Sequence, residues 1–162
     1  MTTNVFIASS SEMRHERLVL INLLMDMSDG RREYDSVVWE TMDSAMRNGR
    51  KEDEYLQKMR QCEVCITLFW RTPGRYTKEE LQDALSEQRS GGRLQKVFVL
   101  LKNNGSQMSP ELEEYIGSLK EGNCCPIMTF GNDDELRKLV EKLVSNWSNL
   151  FDIYGNSVIS DL

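Results

Sequence analysis

A run with no polar alternation, Val64-Cys65-Ile66-Thr67-Leu68-Phe69, constrains the fold more than any other feature of this chain. A strand with one wet face reads apolar, polar, apolar. A run this continuous belongs to a strand covered on both faces, as in the middle of a parallel sheet. It stops at Trp70, turns at Pro73-Gly74, and restarts over Lys78 to Arg89 as a helix with Leu81, Ala84 and Leu85 inward and Glu79 and Glu80 in its first turn. In open α/β sheets ligands bind beyond the carboxyl ends of the strands, so this strand-to-helix segment lies where a site would be built.

The rest of the chain repeats the theme of short apolar runs followed by longer amphipathic ones. Asn4 to Ala8 is a first strand, and Ser9, Ser10 and Ser11 offer capping hydroxyls to a helix that places Leu18, Ile21, Leu24 and Met25 at core spacing and ends near Gly30. Ser36 to Glu40 is a second strand containing Trp39, Met42 to Arg50 is a loop without periodicity, and Glu52 to Cys62 is a helix burying Tyr55, Leu56 and Met59. Lys96 to Leu101 and Cys124 to Phe130 are the fourth and fifth strands, separated by a helix that Ser109 caps with Pro110 at its first position. Asn132 to Leu150 closes the series with Leu136, Leu139, Val140, Leu143 and Trp147 on one face.

Strands alternating with helices in this way predict an α/β, flavodoxin-like three-layer sandwich with a five-stranded parallel sheet in the order 2-1-3-4-5. Residues 1–150 form the domain, and 151–162 are a tail or the lead into a further domain. That strand order sets its switch point between the first and third strands. The loops Ser9 to Ser11 and Trp70 to Lys78 then face each other across one cleft, with Trp39 and Glu40 near its rim.

Charge and composition exclude several classes. Twenty-six acids against twenty Lys and Arg give a net charge of −6, so there is no field to gather a polyanion, and nucleic acid is not an expected partner. No apolar run reaches the 18 or so residues of a membrane span, and the start lacks a signal-like region, which predicts a soluble cytoplasmic protein with no membrane partner. Cys62 and Cys65 have Cys-x-x-Cys spacing, but the second lies inside an apolar strand where a zinc turn cannot form. With Cys124 and Cys125 they read as free thiols.

Nucleotide fingerprints are missing: there is no Gly-x-Gly-x-x-Gly after the first strand and no P-loop. His15 is the only histidine, which leaves neither a Ser-His-Asp relay nor a histidine-rich metal site, and it reads as a solvated helix residue. Phospho-acceptor chemistry needs acids where the chain has Ala8-Ser9-Ser10 and Phe69-Trp70. What remains is a glutamate beside Trp70, Tyr76 and Trp39, with hydroxyls at Ser9 and Ser10. Rings of that kind can stack a base while a carboxylate orders ribose hydroxyls or stabilises an oxocarbenium-like centre, which suits cleavage of an N-glycosidic bond. Alternatively, Glu79 and Glu80 are first-turn acids that complement the helix dipole and do nothing else.

Two motifs carry a resemblance over residues 4 to about 148. Phe-Ile-Ala-Ser-Ser with the later Glu16-Arg17 pair, and Gly74-Arg75-Tyr76-Thr77-Lys78-Glu79-Glu80-Leu81, look like those of the TIR-like domains at the start of bacterial STAND-type NTPases. In TIR domains an aromatic residue, usually Trp, precedes the catalytic glutamate by four positions, and an aliphatic residue follows it. On that pattern Tyr76 takes the aromatic place, Glu80 the glutamate and Leu81 the aliphatic one. The chain departs from it in having Tyr for Trp and in lacking the cysteine after it. The resemblance implies a flavodoxin-like sheet and, in active members, hydrolysis of NAD at the nicotinamide–ribose bond, often after several copies assemble. NAD is then a substrate, and no prosthetic group is implied. Nucleoside 2-deoxyribosyltransferases, whose layout is similar, use a glutamate in the corresponding place as a nucleophile on the sugar. Other TIR folds act as adaptors through contacts with their own kind, for which the loop from Met42 to Lys51, with Arg47 and Arg50, is the expected surface.

Overall fold

The computed structural model of the chain describes residues 2–38, 51–74 and 76–154, and within them all side chains except those of 51–53, 55 and 148–154. Trp39, Glu40, the 42–50 loop with Arg47 and Arg50, Arg75, the Tyr55 side chain and the tail beyond 154 fall outside that description.

Five parallel strands form one sheet in the order β2-β1-β3-β4-β5, as the sequence predicts. They are β1 (Thr2–Ser9), β2 (Glu33–Val37), β3 (Val64–Phe69), β4 (Lys96–Lys102) and β5 (Ile127–Phe130). The helices are α1 (Arg14–Met27), entered through a 3₁₀ turn at Ser11–Met13, then α2 (Lys51–Arg60), α3 (Thr77–Arg89), α4 (Pro110–Glu121) and α5 (Asp133–Tyr154). All six residues of β3 are buried, which is why its sequence lacks alternation.

The helices divide between the two faces of the sheet. Val5, Ile7, Ile66, Leu68, Phe98 and Leu100 point to the layer of α1 and α5, where they meet Leu20, Leu24, Val140 and Trp147. Phe6, Ala8, Cys65, Phe69, Val97 and Val99 point to the layer of α2, α3 and α4, where they meet Met59, Leu81, Ala84 and Ile116. The period of two along each strand produces the division.

Four elements differ from the sequence reading. β2 begins three residues early because Asp29 Oδ1 accepts from the amides of Arg31 (2.7 Å) and Arg32 (2.9 Å), a local turn that re-extends the chain by Glu33. In α1 the inward face is rotated: Leu24 is buried and Ile21 packs half-buried against the core as expected, but the other buried positions are Val19, Leu20 and Leu23, whereas Leu18 is 45% and Met25 65% exposed. Glu16 and Arg17 also point inward there, for reasons given below. Cys124 and Cys125 precede β5 rather than belonging to it, since the Cys124 amide still bonds to Leu119 O at 3.2 Å and Pro126 has no amide to give a ladder. Finally, α5 continues past position 150 to Tyr154. Ser109 caps α4 as its sequence predicts, its Oγ accepting from the Leu112 amide at 3.2 Å.

Candidate functional site

At the carboxyl edge of the sheet the β1–α1 and β3–α3 loops touch, where an open cleft between them was expected. Gly74 adopts φ +72°, a conformation that costs glycine little, and a Cβ placed there would lie 2.7 Å from Ser10 Cβ and 2.8 Å from Thr77 Oγ1. Glu12 then fastens the loops, its Oε1 accepting from the amides of Arg71 (2.9 Å) and Thr72 (3.0 Å). The serines do not cap α1 through their side chains. Ser9 Oγ accepts from Arg17 Nη1 at 2.6 Å, and the Ser10 carbonyl accepts from the same nitrogen at 2.7 Å. That is what turns Arg17 inward.

Above the α1/α5 layer lies a paired polar cluster. Lys102, the last residue of β4, donates to Glu16 Oε2 at 3.0 Å, and Glu16 is 2% exposed. The Lys102 ammonium also lies 4.3 Å from the Trp70 ring centroid, and the Arg71 guanidinium lies 3.9 Å from it. Trp70 Nε1 donates to Asn104 Oδ1 at 3.1 Å. Its ring packs against the core shared with α1 and α5, and two cations sit against it, so its stacking surface is engaged from within the chain. Beside it, His15 Nε2 and Asp133 Oδ2 are 2.7 Å apart.

Glu80 belongs to the other face. It is 5% exposed and shares the inward side of α3 with Thr77, Leu81, Ala84 and Leu85, whereas Glu79 is exposed. The Glu80 amide makes the first helical bond, to Tyr76 O at 2.9 Å. Its carboxylate is close enough to Cys65, in β3 beneath, to help raise that thiol's pKa, after burial as the larger cause. Tyr76 precedes the helix and is 40% exposed. An open hollow beside the loop is lined by Thr72, Pro73, Gly74, Lys78, Glu79 and Glu111.

The expected site residues therefore part into two groups. Glu80 and Tyr76 stay together at the start of α3. Ser9 and Trp70 lie on the α1/α5 side, with Ser10 at the seam against Gly74 and Trp39 outside the described residues. Sequence reasoning missed Glu12, Lys102 and Asp133. The one available signal was Lys102 itself, a lysine ending the otherwise apolar Val97 to Leu101 run at the edge where sites form.

No family model matches the chain, and no curated protein matches it. Among solved structures it is similar to the crystal structure of the IL-17 receptor B SEFIR domain, with a TM-score of 0.58 and 12% identity, over 96% of this chain and 98% of that one. The fold is thus the flavodoxin-like α/β fold that this SEFIR domain also has. At that identity the likeness is one of fold. Among the described residues no helix is long and apolar enough to cross a membrane.

Proposed function

We propose that this chain is a TIR-like signalling domain that hydrolyses NAD or a related nucleotide at the N-glycosidic bond, with Glu80 as the group that works at the sugar. The observation that carries the reading is the contrast between neighbours: Glu79 is solvated as a dipole-complementing acid should be, while Glu80 is drawn inside the first turn of α3. Tyr76, one turn earlier, supplies the ring for a base. The resemblance to domains that open bacterial STAND-type NTPases fits the same assignment.

In this reaction the bond between ribose C1′ and the nicotinamide nitrogen breaks, and the electron pair leaves with neutral nicotinamide. Water adds to C1′ and releases one proton. A carboxylate beneath the ring stabilises the oxocarbenium-like transition state without moving. Incubating the purified domain with NAD, dilute and concentrated, and following nicotinamide tests this. Release that is absent in every state, or equal from Glu80→Ala, defeats it. A panel of nucleosides assayed for free base separates it from deoxyribosyl transfer.

A second reading is favoured by the match to a receptor domain along almost the whole of both chains. Here the domain signals through contact with further copies and needs no chemistry, using the surface around Arg47 and Arg50. Light scattering that rises with concentration, and falls back in Arg47→Ala and Arg50→Ala, supports it; a monomer at every concentration removes it.

A further inference from the structure

We propose that His15, Glu16 and Asp133 bind one first-row divalent cation, Zn²⁺ by preference, where α1 meets α5. Among the described residues these three form the one histidine-and-acid group whose ligand atoms all lie within 4.8 Å of one another. They come from two packed helices 118 positions apart, so the fold brings them together and not the local sequence. Neutral imidazole nitrogen and carboxylate oxygen are zinc's ordinary ligands, three from protein with a fourth position open.

The geometry needs only side-chain adjustment. Tetrahedral coordination with bonds of roughly 2.0–2.2 Å sets ligand atoms about 3.3–3.6 Å apart. His15 Nε2 and Asp133 Oδ2, now 2.7 Å apart, open slightly, and the Glu16 oxygen closes toward them. The His15 side chain is 66% exposed and that of Asp133 36%, so both are free to turn.

Glu16 supplies the second observation. It is 98% withdrawn from solvent, Lys102 takes its Oε2, and no described group donates to Oε1. With one oxygen held by Lys102 and the other without a described donor, this carboxylate can lend an oxygen to a cation shared with the imidazole and the second carboxylate. Binding leaves the Lys102 pair intact, so the carboxylate bridges ammonium and ion. His15 and Asp133, though not Glu16, also line an open hollow of about 540 Å³ with Lys102, Asn104, Asn132 and Asp134, from which water can reach a fourth position.

Charge sets the strength. Glu16 and Asp133 contribute −2, Lys102 +1 and the ion +2, and Asp134 in the same hollow brings the sum to zero. The nearby ammonium weakens attraction for the metal.

The test uses the whole chain, stripped with chelator and titrated with ZnCl₂ by calorimetry and with CoCl₂ by visible absorption, as wild type, His15→Ala and Asp133→Asn. His15 is exposed, so its variant folds. The expected result is one ion per chain, Co²⁺ ligand-field bands without thiolate-to-metal charge transfer, and affinity reduced more than about tenfold in both variants. Three results overturn the site: no binding, a charge-transfer band showing that Cys124 and Cys125 take the metal, or equal affinity in wild type and His15→Ala. The ion site stands or falls apart from Glu80, because the two lie on opposite sides of the sheet.

Discussion

Two buried glutamates, one on each side of the sheet's carboxyl edge, are held in different ways. Glu16 sits above the α1/α5 layer with its counter-charge, Lys102, supplied by the end of β4. Glu80 sits in the first turn of α3 among Thr77, Leu81 and Ala84, over the thiol of Cys65. Both acids come from the first turn of a helix at this edge, but on one side the acid joins a cluster of Lys102, Trp70, Asn104 and Arg71, and on the other it lies at a helix start beside an exposed ring. The difference teaches that burial alone does not mark a working acid. Glu16 ties α1 to the end of β4, whereas Glu80 lies at a helix start beside an exposed ring and is the acid we propose for the chemistry.

The comparison breaks most visibly in stability. Glu16→Ala leaves Lys102 nearly buried without its partner and is expected to cost about 3 kcal/mol, whereas Glu80→Gln, which keeps shape and polarity, costs about 1 kcal/mol. Urea unfolding of both variants checks this. If Glu80→Gln loses as much as Glu16→Ala, Glu80 is structural like its counterpart.

The seam between the two sides gives the next effect. Gly74→Ala meets Ser10 Cβ at 2.7 Å in a backbone conformation unsuited to a side chain, and is expected to cost about 2 kcal/mol. Thermal unfolding reads it, and an unchanged midpoint means the loops yield. Glu12→Gln weakens two amide bonds and a 3.5 Å ion pair with Arg71, for a smaller loss of about 1 kcal/mol.

The smallest effect concerns the thiols beneath α3. Burial pushes Cys62 up to about 12 and Cys125 up to about 11, with the neighbouring Glu63 and Cys124 adding to the respective shifts, and pushes Cys65 further still. At pH 8 the native chain should therefore label slowly at Cys62 and Cys125 and at Cys65 only on unfolding, as mass spectrometry after alkylation would show. The folded-state values are raised above the free thiol value of 9.0, so this contribution to stability is complete below pH 9 and is lost as pH rises toward about 12. Rapid native labelling of Cys65 would mean that the α3 side opens to solvent.

Much of the fold was legible because local signals agreed. β3 has no alternation, α4 has Ser109 and Pro110 at its start, and α5 has one apolar face. Where β2 begins depended on the Asp29 side chain satisfying two amides, which strand patterning does not register. Leu24 and Ile21 of α1 face the core as their spacing predicts, but Leu18 and Met25 do not, because Glu16 and Arg17 are pulled inside by Lys102 and Ser9 and apolar spacing alone cannot show that. Lys102 lies 86 positions from Glu16 and Asp133 lies 118 from His15, so only the assembled sheet joins them. Trp70 is different. The two-residue period of β3 already sets it on the face opposite Phe69, and hence opposite α3. The choice of Glu80 over Glu79 came from the motif resemblance, and periodicity alone left Glu80 at the flank of the buried face.

The central claim is that Glu80, on its own side of the edge, acts on the sugar, and nicotinamide release from NAD measured side by side for wild type, Glu80→Gln, Glu79→Gln and Trp70→Ala tests it most directly. The account predicts a loss of more than about 100-fold for Glu80→Gln, with Glu79→Gln and a folded Trp70→Ala close to wild type. Release that survives in Glu80→Gln, or that disappears equally in Glu79→Gln, contradicts it.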